Sequence, residues 1–211
     1  MTHENIKYAE KSRIATITID RPDKANSCNI GMLQVIHECL EKADKSERIK
    51  SIIIKSTGDR FFSAGYDLKE VQGNPENVVK ITRWGRKVNS KILLMKKSVI
   101  AQVQGIMIGF GSLLVMASDF RIFADRPKDE LYFQLPELAI SAFPQTGATL
   151  LPLLKFGLNY AKHVLFTADK LGIEDLNNLS FITRVVPKDE LEEKTIEFAK
   201  KINKYQPAFS I

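Results

Sequence analysis

Two glycine-bearing segments hold the residues whose spacing could do chemistry: Arg60-Phe61-Phe62-Ser63-Ala64-Gly65-Tyr66-Asp67-Leu68-Lys69-Glu70 and Gly105-Ile106-Met107-Ile108-Gly109-Phe110-Gly111-Ser112-Leu113-Leu114. Each reads as a turn running straight into a helix. The first amides of such a helix have no intrahelical partner and point outward with the positive end of the helix dipole behind them. Two such turns brought together would make an oxyanion hole, which stabilises the enolate-like charge that builds on a thioester oxygen. Donors of this type contribute roughly 3–4 kcal/mol each in acyl chemistry. For the second segment taken alone, close packing of a helix on a sheet accounts for the glycines at least as well.

Other chemistries find less support. His3, His37 and His163 are scattered and have no serine or cysteine elbow near them, which argues against a nucleophilic triad. The run Gly105-x-x-x-Gly109-x-Gly111 is neither GxGxxG nor a Walker loop, so dinucleotide and nucleoside-triphosphate sites fail on spacing. Cys28 and Cys39 show no metal-ligand spacing and no disulfide framework, as expected of a chain in a reducing cytoplasm. The amino-terminal residues are polar and lack the apolar core of a secretory signal. The longest apolar stretch, from Ile106 to Ala117, is interrupted by Gly109, Gly111 and Ser112 and is too short to span a bilayer of ~30 Å.

The net charge of +6 comes from 31 Lys and Arg interleaved with 25 Asp and Glu, not from a basic tract. A solvated surface accounts for that pattern, with attraction of an anionic ligand as the functional alternative. With 211 residues, 44% of them hydrophobic, the chain is long enough for one well-packed core and too short for two ordinary domains each with its own cleft.

The elements that must position the two segments follow from periodicity. Ile14 to Ile19 alternates as a strand and is broken by the Asp20–Asn26 loop; Met32, Leu33, Ile36, Leu40 and Ala43 keep helical spacing. Ile52–Ile54 and Val99–Val103 read as buried strands, with a long amphipathic helix over Asn77–Met95 between them. Beyond Gly111 the pattern predicts a helix to Ala117, a strand over Phe120–Ala124 and a loop through Pro136-Glu137. It then predicts helices around Thr149–Leu154 and Asn159–Phe166, a strand over Phe181–Val186 and a helix over Lys188–Lys204. Alternating strands and helices predict an α/β fold with a largely parallel sheet, whose ligands sit beyond the carboxyl ends of the strands.

Taken in order, six segments resemble the crotonase (enoyl-CoA hydratase/isomerase) superfamily over essentially the whole chain. They are Asp20-Arg-Pro-Asp-Lys-Ala-Asn26, Phe62-Ser-Ala-Gly-Tyr-Asp-Leu68, Val99-Ile-Ala-Gln-Val-Gln-Gly105, Gly109-Phe-Gly111, Ala117-Ser-Asp119 and Phe133-Gln-Leu-Pro-Glu137 with Pro144 beyond it. The resemblance implies a crotonase-like spiral of ββα repeats with helices packed around the sheets. On that reading residues 1–187 form the core, and residues 188–211 are the start of a C-terminal helical region that is short compared with relatives.

It also implies a bound acyl-CoA thioester, with coenzyme A as part of the substrate and no separate cofactor or metal. The two oxyanion donors fall on the backbone N–H groups of Tyr66 and Phe110. Lys24, Ala25, Ala64, Gly65, Asp67, Leu68, Gly109 and Leu113 fall on positions that line the substrate and CoA site, with Arg60 as a further phosphate or adenine neighbour. Asp67 is read first as a helix cap. The Phe110 ring, where the family often has glycine, must occupy part of the acyl pocket.

Glu137 matches the family's Pro-Glu glutamate, whereas the position at which hydratases keep their other glutamate is Leu113. Two carboxylates share the work of adding water across a double bond; one suits the movement of a proton from C2 to C4. The resemblance therefore points to a 3-enoyl-CoA to 2-enoyl-CoA isomerase with Glu137 as its base, its pKa raised by burial among Leu135, Leu138, Leu113 and Phe110. The alternatives are an enoyl-CoA hydratase or other crotonase-type lyase, and a non-catalytic acyl-CoA-binding protein with RNA contacts. A cytoplasmic homotrimer or hexamer is expected, with no membrane or nucleic-acid partner. Its interface would be the face carrying Phe120 to Phe143, with Leu131, Phe133, Leu138 and the Thr149–Leu154 helix as apolar contributors.

Overall fold

A computed structural model of the chain describes residues 3–205. Met1, Thr2 and the 206–211 part of the expected C-terminal region lie outside the described residues. Strands β1 (Ile6–Lys11) and β2 (Ile14–Ile19) form an antiparallel hairpin, turning through Ser12 and Arg13, both with positive φ. The remaining strands of the main sheet, β3 (Ser51–Ser56), β5 (Ser98–Val103), β7 (Phe120–Ala124) and β9 (Arg184–Val186), add in parallel. The six-stranded order is β1-β2-β3-β5-β7-β9. Every parallel pair needs a crossover, and the intervening helices supply it.

Both faces of this sheet are covered, which is why its central strands are nearly continuous runs of isoleucine and valine. Side chains alternate between two cores, as the period of two in a strand requires. Ile52, Ile54, Val99, Ala101 and Val103 face one core, with α1 (Ile30–Lys45) and α3 (Pro75–Leu94) packed over it. Ile53, Ile100 and Ile122 face the other, closed by Leu191, Phe198 and Ala199 of α7 (Leu191–Ile202). Each such fully buried side chain contributes about 1.5–3 kcal/mol. The helical positions Met32, Leu33, Ile36, Leu40 and Ala43 are all buried on α1.

A second, three-stranded parallel sheet, β4 (Phe61–Ser63), β6 (Ile106–Ile108) and β8 (Phe133–Gln134), positions the site. Ser63 aligns with Met107 and Ile108 with Gln134. The three strands therefore end together, and three segments leave them side by side: Ala64-Gly65-Tyr66, Gly109-Phe110 and Leu135-Pro136-Glu137. Periodicity predicted none of these strands. At two or three residues each they are too short to show alternation.

Other differences from the sequence reading have equally local causes. The long helix begins at Pro75, because Asn74 caps it and proline is well suited to a first turn. The two helices expected over 149–166 are present as the two halves of α5 (Leu150–Thr167), which meet at a kink where Gly157 is non-helical with φ 75°. A further short helix, α6 (Ile173–Asn178), precedes β9. Helix α2 (Leu68–Val71) is a single turn, so Tyr66 stands two residues ahead of it and not at a long helix start. Leu131 and Phe133, expected on an oligomer face, are fully buried in the main core. They read as surface residues only because the strand that buries them was not legible.

Candidate active site

The first turn is fastened amide by amide. Ala64 N–H donates to the Ala25 carbonyl (2.9 Å), Gly65 N–H to Ser63 Oγ (3.2 Å) and Asp67 N–H to the Cys28 carbonyl (2.9 Å). The Tyr66 N–H between them has no protein partner among the described residues. Asn26, buried behind the turn, donates to the carbonyls of Thr57 and Phe61 and accepts from Arg21 N–H. Asp67 caps α2 by accepting from Lys69 N–H and pairs with Arg21 at 2.7 Å, which removes its carboxylate from any direct chemistry.

The second turn repeats the pattern. Gly109 N–H donates to the Gln134 carbonyl (3.0 Å), and Ser112 Oγ, 2.9 Å from both, shares its one proton between the carbonyls of Met107 and Gln134. Phe110, the first residue of α4 (Phe110–Ala117), leaves its N–H without a partner among the described residues. Gly109 needs its φ of 52° and ψ of −119°, a conformation open to glycine alone. The two turns touch: a methyl group at Gly65 would lie 2.8 Å from the Ile108 carbonyl oxygen and 3.2 Å from Phe110 N.

Tyr66 and Phe110 line one cavity of about 320 Å³, together with Ala64, Gly65, Leu68, Gly109, Leu113 and Glu137. The rest of the wall is apolar apart from Thr82, Gln145 and Thr146. Glu137 is the single carboxylate in it among the described residues. Its Oε2 is buried with no hydrogen-bond partner among the described residues, and Oε1 lies 3.6 Å from where a Gly109 methyl would be. Burial raises its pKa above the ordinary carboxylate value, because an enclosed charge loses its hydration. Leu113 is almost fully enclosed, and so presents hydrocarbon to the cavity. A carboxylate of raised basicity and two free amides on one apolar chamber can move a proton at carbon while holding charge on oxygen.

Not every residue expected at the site is in the cavity. Lys24 and Arg60 are exposed and do not line it; Ala25 reaches it only through the Ala25–Ala64 hydrogen bond. Of the four side chains expected around Glu137, Leu113 and Phe110 line the cavity with it, whereas Leu135 is buried outside the lining and Leu138 is exposed. Sequence reasoning missed the wall supplied by Val78, Ile81 and Thr82 of α3, and missed Thr146, whose Oγ1 is 2.7 Å from Tyr66 Oη. The helical spacing of Val78, Ile81 and Thr82 was the available signal. Cys28 and Cys39 are free thiols, and burial pushes that of Cys28 up to about 12, so it is inert at neutral pH. No helix among the described residues is long and apolar enough to cross a membrane.

The sequence profile of the family described as enoyl-CoA hydratase/isomerase matches residues 9–210. The crotonyl-CoA hydratase of Syntrophomonas wolfei is 31% identical over 204 residues, covering 96% of this chain and 76% of that protein. The short-chain-enoyl-CoA hydratase of Clostridium acetobutylicum is 27% identical over 203 residues, with the same coverage of 96% and 76%. Among solved structures, an enoyl-CoA hydratase from Bacillus anthracis shares the fold with a TM-score of 0.88 and 29% identity, covering 94% of this chain and 76% of that one. Matched in sequence over nearly all its residues and in fold over the same span, the chain belongs to the enoyl-CoA hydratase/isomerase family of the crotonase superfamily and is an acyl-CoA enzyme of that type.

Proposed function

We propose that this enzyme shifts the double bond of a 3-enoyl-CoA thioester to the 2 position, with Glu137 as its one acid/base group. The observation that carries the reading is Glu137, which is the one carboxylate among the described residues lining a mainly apolar chamber and whose Oε2 is buried without a hydrogen-bond partner among them. Glu137 takes a proton from C2, and the electron pair moves into the thioester to give a dienolate whose oxygen accepts from Tyr66 N–H and Phe110 N–H. The protonated Glu137 then returns its proton at C4, leaving the double bond between C2 and C3. Nothing is oxidised, so the reaction asks for no cofactor beyond the coenzyme A of the substrate.

Hydration of 2-enoyl-CoA is the second reading, favoured by the names of relatives such as the crotonyl-CoA hydratase of Syntrophomonas wolfei. A hydratase needs a group to manage water as well as one to deliver a proton, and Leu113 cannot do so. Purified protein assayed on 3-enoyl and 2-enoyl thioesters of equal length separates the two. Isomerisation much faster than hydration supports the proposal; hydration at least as fast overturns it.

The CoA moiety then runs outward past Ala64 and Leu68 toward Lys24 and Ala25. A homotrimer or hexamer in the cytoplasm is part of the same proposal. Its support is a set of exposed apolar side chains, Leu150 and Leu154 one turn apart on the first half of α5 and Leu158 beyond its kink, with Phe143 and Phe166.

A further inference from the structure

The cavity has a mouth and an inner end. Leu68, Ile140 and Phe143 are exposed at the mouth, while Ile81, Phe110, Leu113 and Thr146 are buried at the inner end. The Tyr66 side chain, a separate matter from its backbone N–H, joins the buried wall through two of these residues. Its ring stacks on Phe110 with centroids 4.9 Å apart and planes 13° from parallel, and its hydroxyl shares a 2.7 Å hydrogen bond with Thr146 Oγ1.

The phenol reaches that position because residue 85 of α3 is glycine. A methyl group there would overlap Tyr66 Oη outright and approach Thr146 Cγ2 to 2.9 Å. Gly85 lies mid-helix with no positive φ, where alanine would be favoured by about 1 kcal/mol. Its role is the space it leaves.

Thr146 is held as firmly. It is a β-branched residue at φ 61°, a strained state that persists only where neighbours fix it. Asn89 of α3 donates to its carbonyl at 3.1 Å, and Thr146 Oγ1 reaches the Thr82 carbonyl at 3.5 Å. The phenol, the loop and α3 therefore form one clamped unit. The chamber it closes, about 320 Å³, is at the low end of the roughly 300–1,000 Å³ of small-molecule sites.

We propose that the Tyr66 phenol, seated against Gly85 and clamped by Thr146, is the stop that limits the length of acyl chain this enzyme accepts, making it selective for short acyl thioesters. The inference rests on the acyl-CoA reading above but not on which reaction follows binding. Tyr66→Leu removes the phenol and opens the inner end; Gly85→Ala evicts the phenol into the chamber and shortens it. Adding Tyr66→Leu to Gly85→Ala relieves the clash.

The test is calorimetric titration of wild type, the two single variants and the double variant with saturated acyl-CoA thioesters from butyryl to decanoyl. Affinity should rise roughly fourfold per methylene while the chain finds apolar room, as about 0.8 kcal/mol per methylene implies, and then stop rising. That break should move to longer chains in Tyr66→Leu, to shorter chains in Gly85→Ala, and back toward the Tyr66→Leu position in the double variant. A break at the same length in wild type and Tyr66→Leu, both folded by circular dichroism, overturns the stop even if Gly85→Ala does not fold. So does affinity that rises without a break through decanoyl-CoA in wild type. A shifted break in proteins that catalyse no isomerisation supports the stop and counts against the isomerase reading. Absence of affinity for any thioester overturns both.

Discussion

A methyl group placed on Gly109 would lie 3.6 Å from Oε1 of Glu137. The carboxylate thus stands against the turn that presents the Phe110 amide, and the proton-transfer group and one charge-holding group share a single wall of the cavity. The glycine offers no side chain to the carboxylate, and Oε2 of Glu137 is buried without a hydrogen-bond partner among the described residues. Its basicity and its position have the same origin.

Glu137→Gln should reduce isomerisation by about 10²–10⁴-fold, the range for a general base, while acyl-CoA affinity stays within about twofold. The amide keeps the shape and loses the ability to accept a proton. Steady-state rates and calorimetric affinity on the same preparation check both halves; a variant with wild-type turnover would remove Glu137 from the mechanism.

The pH dependence follows from burial. Glu137 must be deprotonated to act, and its carboxyl titrates above the usual carboxylate range, so kcat/KM should rise from the acid side with a midpoint above the ~4.3 of an exposed glutamate. Stability should run the opposite way. A carboxyl whose folded pKa is raised gives its full contribution below the unfolded pKa, and that contribution is lost as pH rises through the folded value. The Tm difference between Glu137→Gln and wild type should therefore be smallest in acid and grow in favour of the variant as pH rises through that window.

Gly65→Ala should damage the oxyanion site. The residue has φ 93°, and the added carbon would meet the Ile108 carbonyl oxygen at 2.8 Å. Because that oxygen is backbone, the two turns must part. We expect a stability loss on the order of 1–3 kcal/mol and a loss of turnover near 10²-fold, as for one displaced oxyanion donor. Thermal melts and rates measured well below the variant's Tm separate the two effects.

Leu113→Glu should bring up hydration of 2-enoyl-CoA relative to isomerisation, by adding the second carboxylate the cavity lacks. Burying an acid there costs stability, so the rate ratio, not the absolute rate, is the readout. A ratio unchanged in a folded variant would mean that water cannot reach the position.

Light scattering behind a sizing column should show a species of three or six subunits. Leu154→Glu, at a position 63% exposed on α5, should dissociate it without unfolding the subunit. A wild-type monomer at all concentrations would overturn the expected assembly.

The segments that meet at the cavity were legible one by one. Gly65 and Gly109 stand in short segments whose composition announces backbone geometry, Glu137 was singled out only by the resemblance to a family, and the period of two in Ile14–Ile19 and of 3.6 in Met32–Ala43 gave the frame around them. Adjacency was not legible. The strands that bring the three segments together, β4, β6 and β8, span two or three residues each, too few to leave a periodic trace, and their pairing is a property of distant parts of the chain. The burial of Leu131 and Phe133 depended on those same strands, as did the side of the molecule on which they fell. The contact between Tyr66 and Gly85 was likewise invisible, since a glycine inside a helix has no local signature for what will fill the space above it. Local chemistry depends on residue type and near neighbours, which a sequence displays; the shape of a cavity depends on which backbones approach closely, and only the folded chain decides that.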